Sequence, residues 1–322
     1  MTQLSTVSYS PLQRMLLSLD GLSVGDAFGQ RFFGHPDDVS RRLMQQIVPD
    51  PVWRYTDDTE MTLAIVELVA ERETIDQDKL ARMFARRYMA DPMRGYGGGA
   101  HTVLQSIAAG SHWRPVAAAL FDGTGSMGNG AAMRSGPIGA YFAGDTERIV
   151  LEAARSAQVT HAHPDAQAGA VAVALAVGWA WEHGEATTNE FAAPMLLYVL
   201  EHTPDGATRD GIKRALTLAH NASVGTAVAL LGNGSNVLSS DTVPFALWSA
   251  AQCMWHFERA LWNTVRALGD RDTTCAMVGA IVGVSSSRTH YRSDISLKTN
   301  AISQTWLNAR EPLALKLQRA KT

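Results

Sequence analysis

The chain has 322 residues, 46% of them apolar, a formal net charge of -3 and two cysteines, Cys253 and Cys275. This length and apolar content allow a large buried core, while the charge provides no basic field to gather nucleic acid or anionic lipid. Two cysteines outside any C-x-x-C pair support neither a disulfide framework nor a zinc knuckle, so a reducing cytoplasm is the expected compartment, with no nucleic acid and no membrane as partner.

The opening MTQLSTVSYSPLQRM lacks the basic start and apolar stretch of a signal peptide. A helix is expected over 12–29, with Asp26 inside the apolar VGDAFG. An unpaired charge there is costly, so Asp26 is either a support behind a functional site or a polar tie between helices. WRYTDDTEMTLAIVELVA, 53–70, then sets Asp57 and Asp58 side by side at a helix start. Asp57 with Glu60 fits a capping box, but a cap needs only one aspartate, and the doublet leaves one over. Apolar spacing of three and four continues through Leu80, Met83, Phe84 and Tyr88. Glycine-rich loops are expected at 95–99, 123–130 and 232–234, and further helices over 99–109, 146–158, 165–183, 188–202, 210–222, 244–268 and 273–284.

GTGSMG, 123–128, matches G-x-G-x-x-G, but that pattern counts only in a βαβ unit, and Gly136 and Pro137 break any following helix early. Gly128, Asn129 and Gly130 form either a tight turn or an anion-binding nest suited to a diphosphate. In HAHPDA, His161 and His163 have a spacing open to a transition metal, or are structural, with Pro164 and Asp165 as the first turn of a helix. The run Ala168–Trp181 falls short of the roughly 20 residues of a membrane span and reads as a buried helix. In the last strong helix Ala276, Gly279, Ala280 and Gly283 permit close backbone approach. With no period-two strands, no fixed repeat and no Pro/Ser linker, the reading is one compact all-α domain over 1–322.

Ahead of that last helix, Asp270, Asp272 and Thr273 repeat the chemistry of Thr56, Asp57 and Asp58. Each group alone is explained by capping. If the two helix starts meet, four carboxylates share one pocket and cannot all stay ionised without cations. Oxygen-only ligands select hard ions, Mg²⁺ or Mn²⁺, over zinc.

The ordered series GDAFG (25–29), TDDTEMTLAI (56–65), RGYGGG (94–99), GNGAAMR (128–134), HAHPDA (161–166), DTVPFALW (241–248) and GDRDTTCAMVGAIVG (269–283) resembles the ADP-ribosylglycohydrolase family. The resemblance implies an orthogonal all-α helical bundle, a centre of two divalent cations, and hydrolysis of ADP-ribose from acceptor groups on ADP-ribosylated protein. It implies Thr56, Asp57, Asp58, Asp270, Asp272 and Thr273 as metal ligands, and Asp57 or Asp58 as the base. It assigns the diphosphate to the loop at Gly128–Gly130 and to Tyr96, Gly97, Gly98 and Gly99, and a histidine, carried here by His163, to the distal ribose. Arg94 and Arg134 pair either with phosphate or within the fold. Phe33 stands where many members have glutamate, which favours arginine as the acceptor, since its guanidinium leaves without a neighbouring acid. Asp91 is then the anion to face that guanidinium, or a cap or loop turn ahead of Pro92. A silent ADP-ribose binder and a metal-dependent phosphohydrolase are the alternative functions. No role is expected of the stretch from Ser285 onward.

Overall fold

The computed structural model describes residues 9–184, 192–218, 221–289 and 301–317. The opening residues 1–8, the expected helix start at 188–191, part of the expected helix end at 219–220, and 290–300 and 318–322 of the tail lie outside them. In chain order the helices are α1 (Pro11–Gln30), α2 (Pro36–Gln45), α3 (Asp57–Arg72), α4 (Gln77–Ala90), α5 (Gly98–Ala108), α6 (Trp113–Gly123), α7 (Gly136–Tyr141) and α8 (Thr146–Gln158). They continue as α9 (Pro164–His183), α10 (Ala192–His202), α11 (Ala207–Ala215), α12 (Val224–Leu231), α13 (Ser239–Gln252), α14 (Phe257–Val265), α15 (Arg271–Thr289) and α16 (Gln304–Ala309). No sheet forms among the described residues, only two isolated bridges, Trp53 with Arg310 and Gly128 with Leu238. The fold class is all-α, and no helix among the described residues is long and apolar enough to cross a membrane.

Local chemistry explains where the helices begin. Ser10 and Gln13 close a reciprocal capping box on α1 with Pro11 in the first turn, and Asp145 caps α8 through the Arg148 amide. The cap of α3 is Thr56, whose hydroxyl accepts from the Asp58 amide. This corrects the expectation that Asp57 is the cap, and both aspartates are left in the first helical turn.

Several elements depart from the sequence reading. The single helix expected over 244–268 is two, α13 and α14, broken at Cys253, which leaves helical geometry without a glycine or proline to signal it. The helix expected over 210–222 ends at Ala215, and α12 follows as a separate element. Gly136 and Pro137 start the short α7 instead of preventing it, because proline suits a first helical turn. Helices α2, α6 and α16 were not expected at all.

At the centre lies α15, against α1, α9, α13 and α14. Helix α9 is buried continuously from Ala168 to Trp181, as its all-round apolar sequence requires. The tightest seam joins α1 to α15. A Cβ added at Gly21, Gly25 or Gly29 would lie 2.1, 2.1 or 2.3 Å from the carbonyl oxygen of Gly279, Cys275 or Arg271 respectively. The helices therefore run antiparallel with their backbones touching, a spacing of four that keeps three glycines on one face. This seam brings the end of α1 to the start of α15, where Asp270 and Asp272 lie.

Candidate active site

Asp26, buried at 0% exposure on α1, links that seam to α3. Its carboxylate accepts from the amides of Thr56 (3.0 Å) and Thr59 (3.1 Å) and from their hydroxyls at 2.8 and 2.5 Å. Both alternatives for Asp26 therefore hold: it ties two helices and it supports the turn that carries Asp57 and Asp58. Burial, opposed by these hydrogen bonds, pushes its pKa up to about 6.

The starts of α3 and α15 meet. Asp57 is pushed up to about 7, chiefly by burial and then by Asp26 and Asp270. Asp58 and Asp272 are also raised well above the usual carboxylate range, by burial first and then by their acidic neighbours. Asp58 is poorly served by donors. Its Oδ1 is buried without a hydrogen-bond partner. Its Oδ2 lies 3.1 Å from the Thr56 hydroxyl and 3.5 Å from that of Thr273, but Thr56 has one proton and a nearer acceptor in Asp26 at 2.8 Å.

Among the described residues, no three His, Cys, Asp or Glu side chains stand grouped around one point as a finished ligand set. The donor chemistry nevertheless fits hard cations. Mg²⁺ takes one or two carboxylates and keeps several waters, and the threonine hydroxyls add neutral oxygens. The partnerless Asp58 oxygen is the kind of buried acceptor that such an ion satisfies.

These acids floor a cleft of about 520 Å³. Of the expected residues, Asp57, Asp58, Gly97, Gly98, Gly99, Gly128, Asn129, Gly130, Asp270, Asp272 and Thr273 line it. Gly97 and Gly98 face open space, and the first turn of α5 points from them without a side-chain cap. Tyr96 does not line the cleft. Its ring turns inward, edge-on to Tyr88 at 5.0 Å, with a buried hydroxyl that has no partner. Asp91 is also absent from the lining: it ends α4, accepts from the Met93 amide and pairs with Arg94 Nε at 3.0 Å, so it is the loop turn and an internal counter-ion. Arg94 is likewise an internal partner, bound by Asp91 and Glu311.

The loop at 128–130 works differently from a nest. The Gly128 amide donates to Ser126 Oγ and the Asn129 amide to the Val237 carbonyl, so neither is free for an anion. The Asn129 side chain instead donates to Asp270 Oδ2 at 2.6 Å and to Thr242 Oγ1 at 3.0 Å. The glycines make room for a histidine, since a Cβ at Gly128 or Gly130 would come within 3.4 or 3.3 Å of His161 Nε2.

That histidine is His161. His163 caps α9, its Nδ1 accepting from the Asp165 amide, and is not in the lining. His161 Nδ1 lies 2.7 Å from Thr160 Oγ1, which also accepts from Arg134 Nη2 at 2.8 Å. Arginine only donates, so the arrangement that satisfies each atom has Thr160 donating to Nδ1 and leaves the proton of a neutral His161 on Nε2. Burial, with Arg134 second, holds the His161 pKa down to about 3. Arg134 is itself fully buried over the Phe84 ring, with its pKa lowered to about 9 by burial despite nearby Asp57. It donates to the carbonyls of Gly130 and Ser156. It therefore stiffens the cleft wall and makes no carboxylate pair.

Sequence reasoning also missed Phe121 and Val237, exposed side chains on the lining at φ +51° and +57°. Left-handed backbone at a bulky or β-branched residue is uncommon and leaves no mark in composition.

Fold and cleft together define an all-α protein with a ligand-sized cleft over four carboxylates. The family described as ADP-ribosylglycohydrolase matches residues 8–311. The chain is 31% identical over 313 residues to human "ADP-ribosylhydrolase ARH3", covering 84% of this chain and 85% of that protein. It is 31% identical over 271 residues to an uncharacterized protein of Archaeoglobus fulgidus, covering 82% and 84%. A solved structure titled "ADP-ribosylglycohydrolase-related protein complex" superposes with a TM-score of 0.60 at 21% identity, over 94% of this chain and 93% of that one, and shares the fold. The chain belongs to the ADP-ribosylglycohydrolase family. The match extends on both sides of the 21–284 stretch that carries the sequence motifs and takes in most of the tail.

Proposed function

We propose that the protein is a metal-dependent hydrolase that releases ADP-ribose from ADP-ribosylated protein. The observation that carries this reading is the meeting of two acidic helix starts beneath one cleft, with a buried Asp58 oxygen left without a partner. Family membership supports the substrate class. Thr56, Asp57, Asp58, Asp270, Asp272 and Thr273 would hold two Mg²⁺ or Mn²⁺ ions, which when bound supply Lewis-acid stabilisation and orientation of ribose hydroxyls. Asp57 accepts a proton from the attacking water, and neighbouring carboxylates stabilise the positive charge that grows on the ribose ring as the glycosidic bond breaks. The first turn of α5 at Gly97–Gly99 offers free amides for the diphosphate.

The acceptor proposed is arginine, on leaving-group chemistry alone. His161, held neutral, provides no acid at physiological pH, and among the described residues the only acids on the lining are the four aspartates, which the proposed ions would keep ionised. A guanidinium departs without such help, whereas a serine alkoxide benefits from it. Mass spectrometry of products from arginine-linked and serine-linked ADP-ribosyl peptides tests both levels. Intact ADP-ribose from the arginine peptide is expected. Preferential release from serine refutes the acceptor, and release of AMP or of nothing refutes the glycohydrolase reading.

A further inference from the structure

The segment 303–317 returns to the cleft end of the molecule. Trp306 stacks on Phe28 at 4.7 Å and meets Trp53 edge-on at 5.3 Å. Past it, the backbone pairs with residues ahead of α3: the Trp53 amide donates to the Ala309 carbonyl at 2.7 Å and the Glu311 amide to the Trp53 carbonyl at 2.9 Å. This register puts the Glu311 carboxylate on two groups. It accepts from the Tyr55 amide at 3.0 Å and pairs with the Arg94 guanidinium. Arg94 lies over the Tyr55 ring at 4.3 Å and donates to the Tyr55 carbonyl at 3.0 Å. Its own carbonyl accepts from the Asp57 amide at 2.8 Å.

Every backbone N–H from Tyr55 to Asp58 is therefore satisfied, by Glu311, Asp26, the Arg94 carbonyl and the Thr56 hydroxyl in turn. Asp26 holds the turn from the side of α1. Glu311 holds it from the opposite end of the sequence and also fixes the residue that holds Asp57. We propose that Glu311 is a positioning residue for the acidic turn, so that the closing segment of the chain completes the cleft floor without touching substrate.

Hydrogen exchange of the metal-free protein, followed by mass spectrometry over 53–62, tests this in wild type, Glu311→Ala, Glu311→Gln and Arg310→Ala. Arg310 lies on the same segment but its side chain pairs with Asp20 at 3.6 Å, so its variant reports loss of segment anchoring alone. Exchange across the turn should rise about tenfold in Glu311→Ala, as expected for one lost hydrogen bond. It should stay near wild type in Arg310→Ala, and Glu311→Gln, which keeps an acceptor oxygen, should recover most of the protection. Unchanged exchange in Glu311→Ala, or an equal rise in Arg310→Ala, overturns the proposal. A second arm rests on the metal-dependent reading above: Mn²⁺ affinity should fall about tenfold in Glu311→Ala, the lower end for groups that orient metal ligands. Wild-type protein that binds no Mn²⁺ sinks the metal reading, and the exchange arm still decides the role of Glu311.

Discussion

Substituting Gly25 by alanine tests whether backbone contact between α1 and α15 builds the acidic centre. The added Cβ would lie 2.1 Å from the Cys275 carbonyl oxygen and 2.7 Å from its carbon. Both obstacles are backbone, so no rotamer change relieves them. Restoring ordinary contact distances requires the helices to part by about 1 Å, enough to forfeit a quarter to a half of the dispersion well for atoms along the seam. Overpacking of this kind costs about 1–3 kcal/mol and sometimes more. Alanine in a helix interior is otherwise favoured over glycine by about 1 kcal/mol, so an open site would gain stability. Because both obstacles are backbone, the cost belongs at the upper end of that range, about 3 kcal/mol, which leaves a net loss of about 2 kcal/mol. At about 2.1 cal/mol/K of unfolding entropy per residue, that is a fall of roughly 3 °C in thermal midpoint for this chain. Mn²⁺ affinity should fall with it, because the start of α15 moves relative to that of α3. Gly98→Ala, where an added Cβ meets nothing within 4 Å, is the control and should not lose stability. A Gly25→Ala protein that unfolds at or above the wild-type midpoint and titrates with Mn²⁺ unchanged would show that backbone contact between α1 and α15 does not build the acidic centre.

Saturating Mg²⁺ or Mn²⁺ should stabilise the fold by about 2.7 kcal/mol for each ion at a hundredfold excess over its Kd, with EDTA reversing the shift; a midpoint indifferent to both counts against the ion site. The pH dependence has a definite sign. Asp57 and Asp26, at about 7 and about 6, keep protons in the folded metal-free state that the unfolded chain, near 3.8, has released. Stability from these groups is full below the unfolded pKa and is lost as pH rises through the folded values. The metal-free midpoint should therefore drop between about pH 4 and about pH 7, and Mn²⁺ should flatten the trend; a rising midpoint over that window contradicts it. Asp272→Asn should abolish turnover and weaken Mn²⁺ binding with helicity by circular dichroism retained, whereas wild-type turnover would make Asp272 only an acid in the first turn of α15. Asn129→Ala removes the 2.6 Å bond to Asp270 and should weaken Mn²⁺ binding about tenfold by calorimetry. Loss of substrate affinity alone would restore it as a substrate contact.

The acid pairs and the tight-packing helix were legible because their signals are local: adjacent carboxylates at a helix start, and small residues at intervals of three and four. Long-range partnerships were not. HAHPDA contains two histidines, and nothing in their spacing tells that His163 is spent as the cap before Pro164 while His161 turns into the cleft. Asn129 reads as loop chemistry until Asp270 is placed beside it. The α13–α14 break carried no punctuation, and the left-handed Phe121 and Val237 lie in conformations their side chains disfavour. Asp91 failed for a related reason, since its arginine is one of the protein's own.

The glycine seam also constrains how the chain is made. Helix α1 is synthesised well before α15, its backbone partner. At about 5–20 residues per second, the interval between them is on the order of ten seconds to a minute. Throughout it, the face of α1 that presents Gly21, Gly25 and Gly29 waits for its mate. The four acids cannot assemble before α15 has left the ribosome, so a nascent chain that stops short of α15 should lack the acidic cleft floor and be a good client for chaperones.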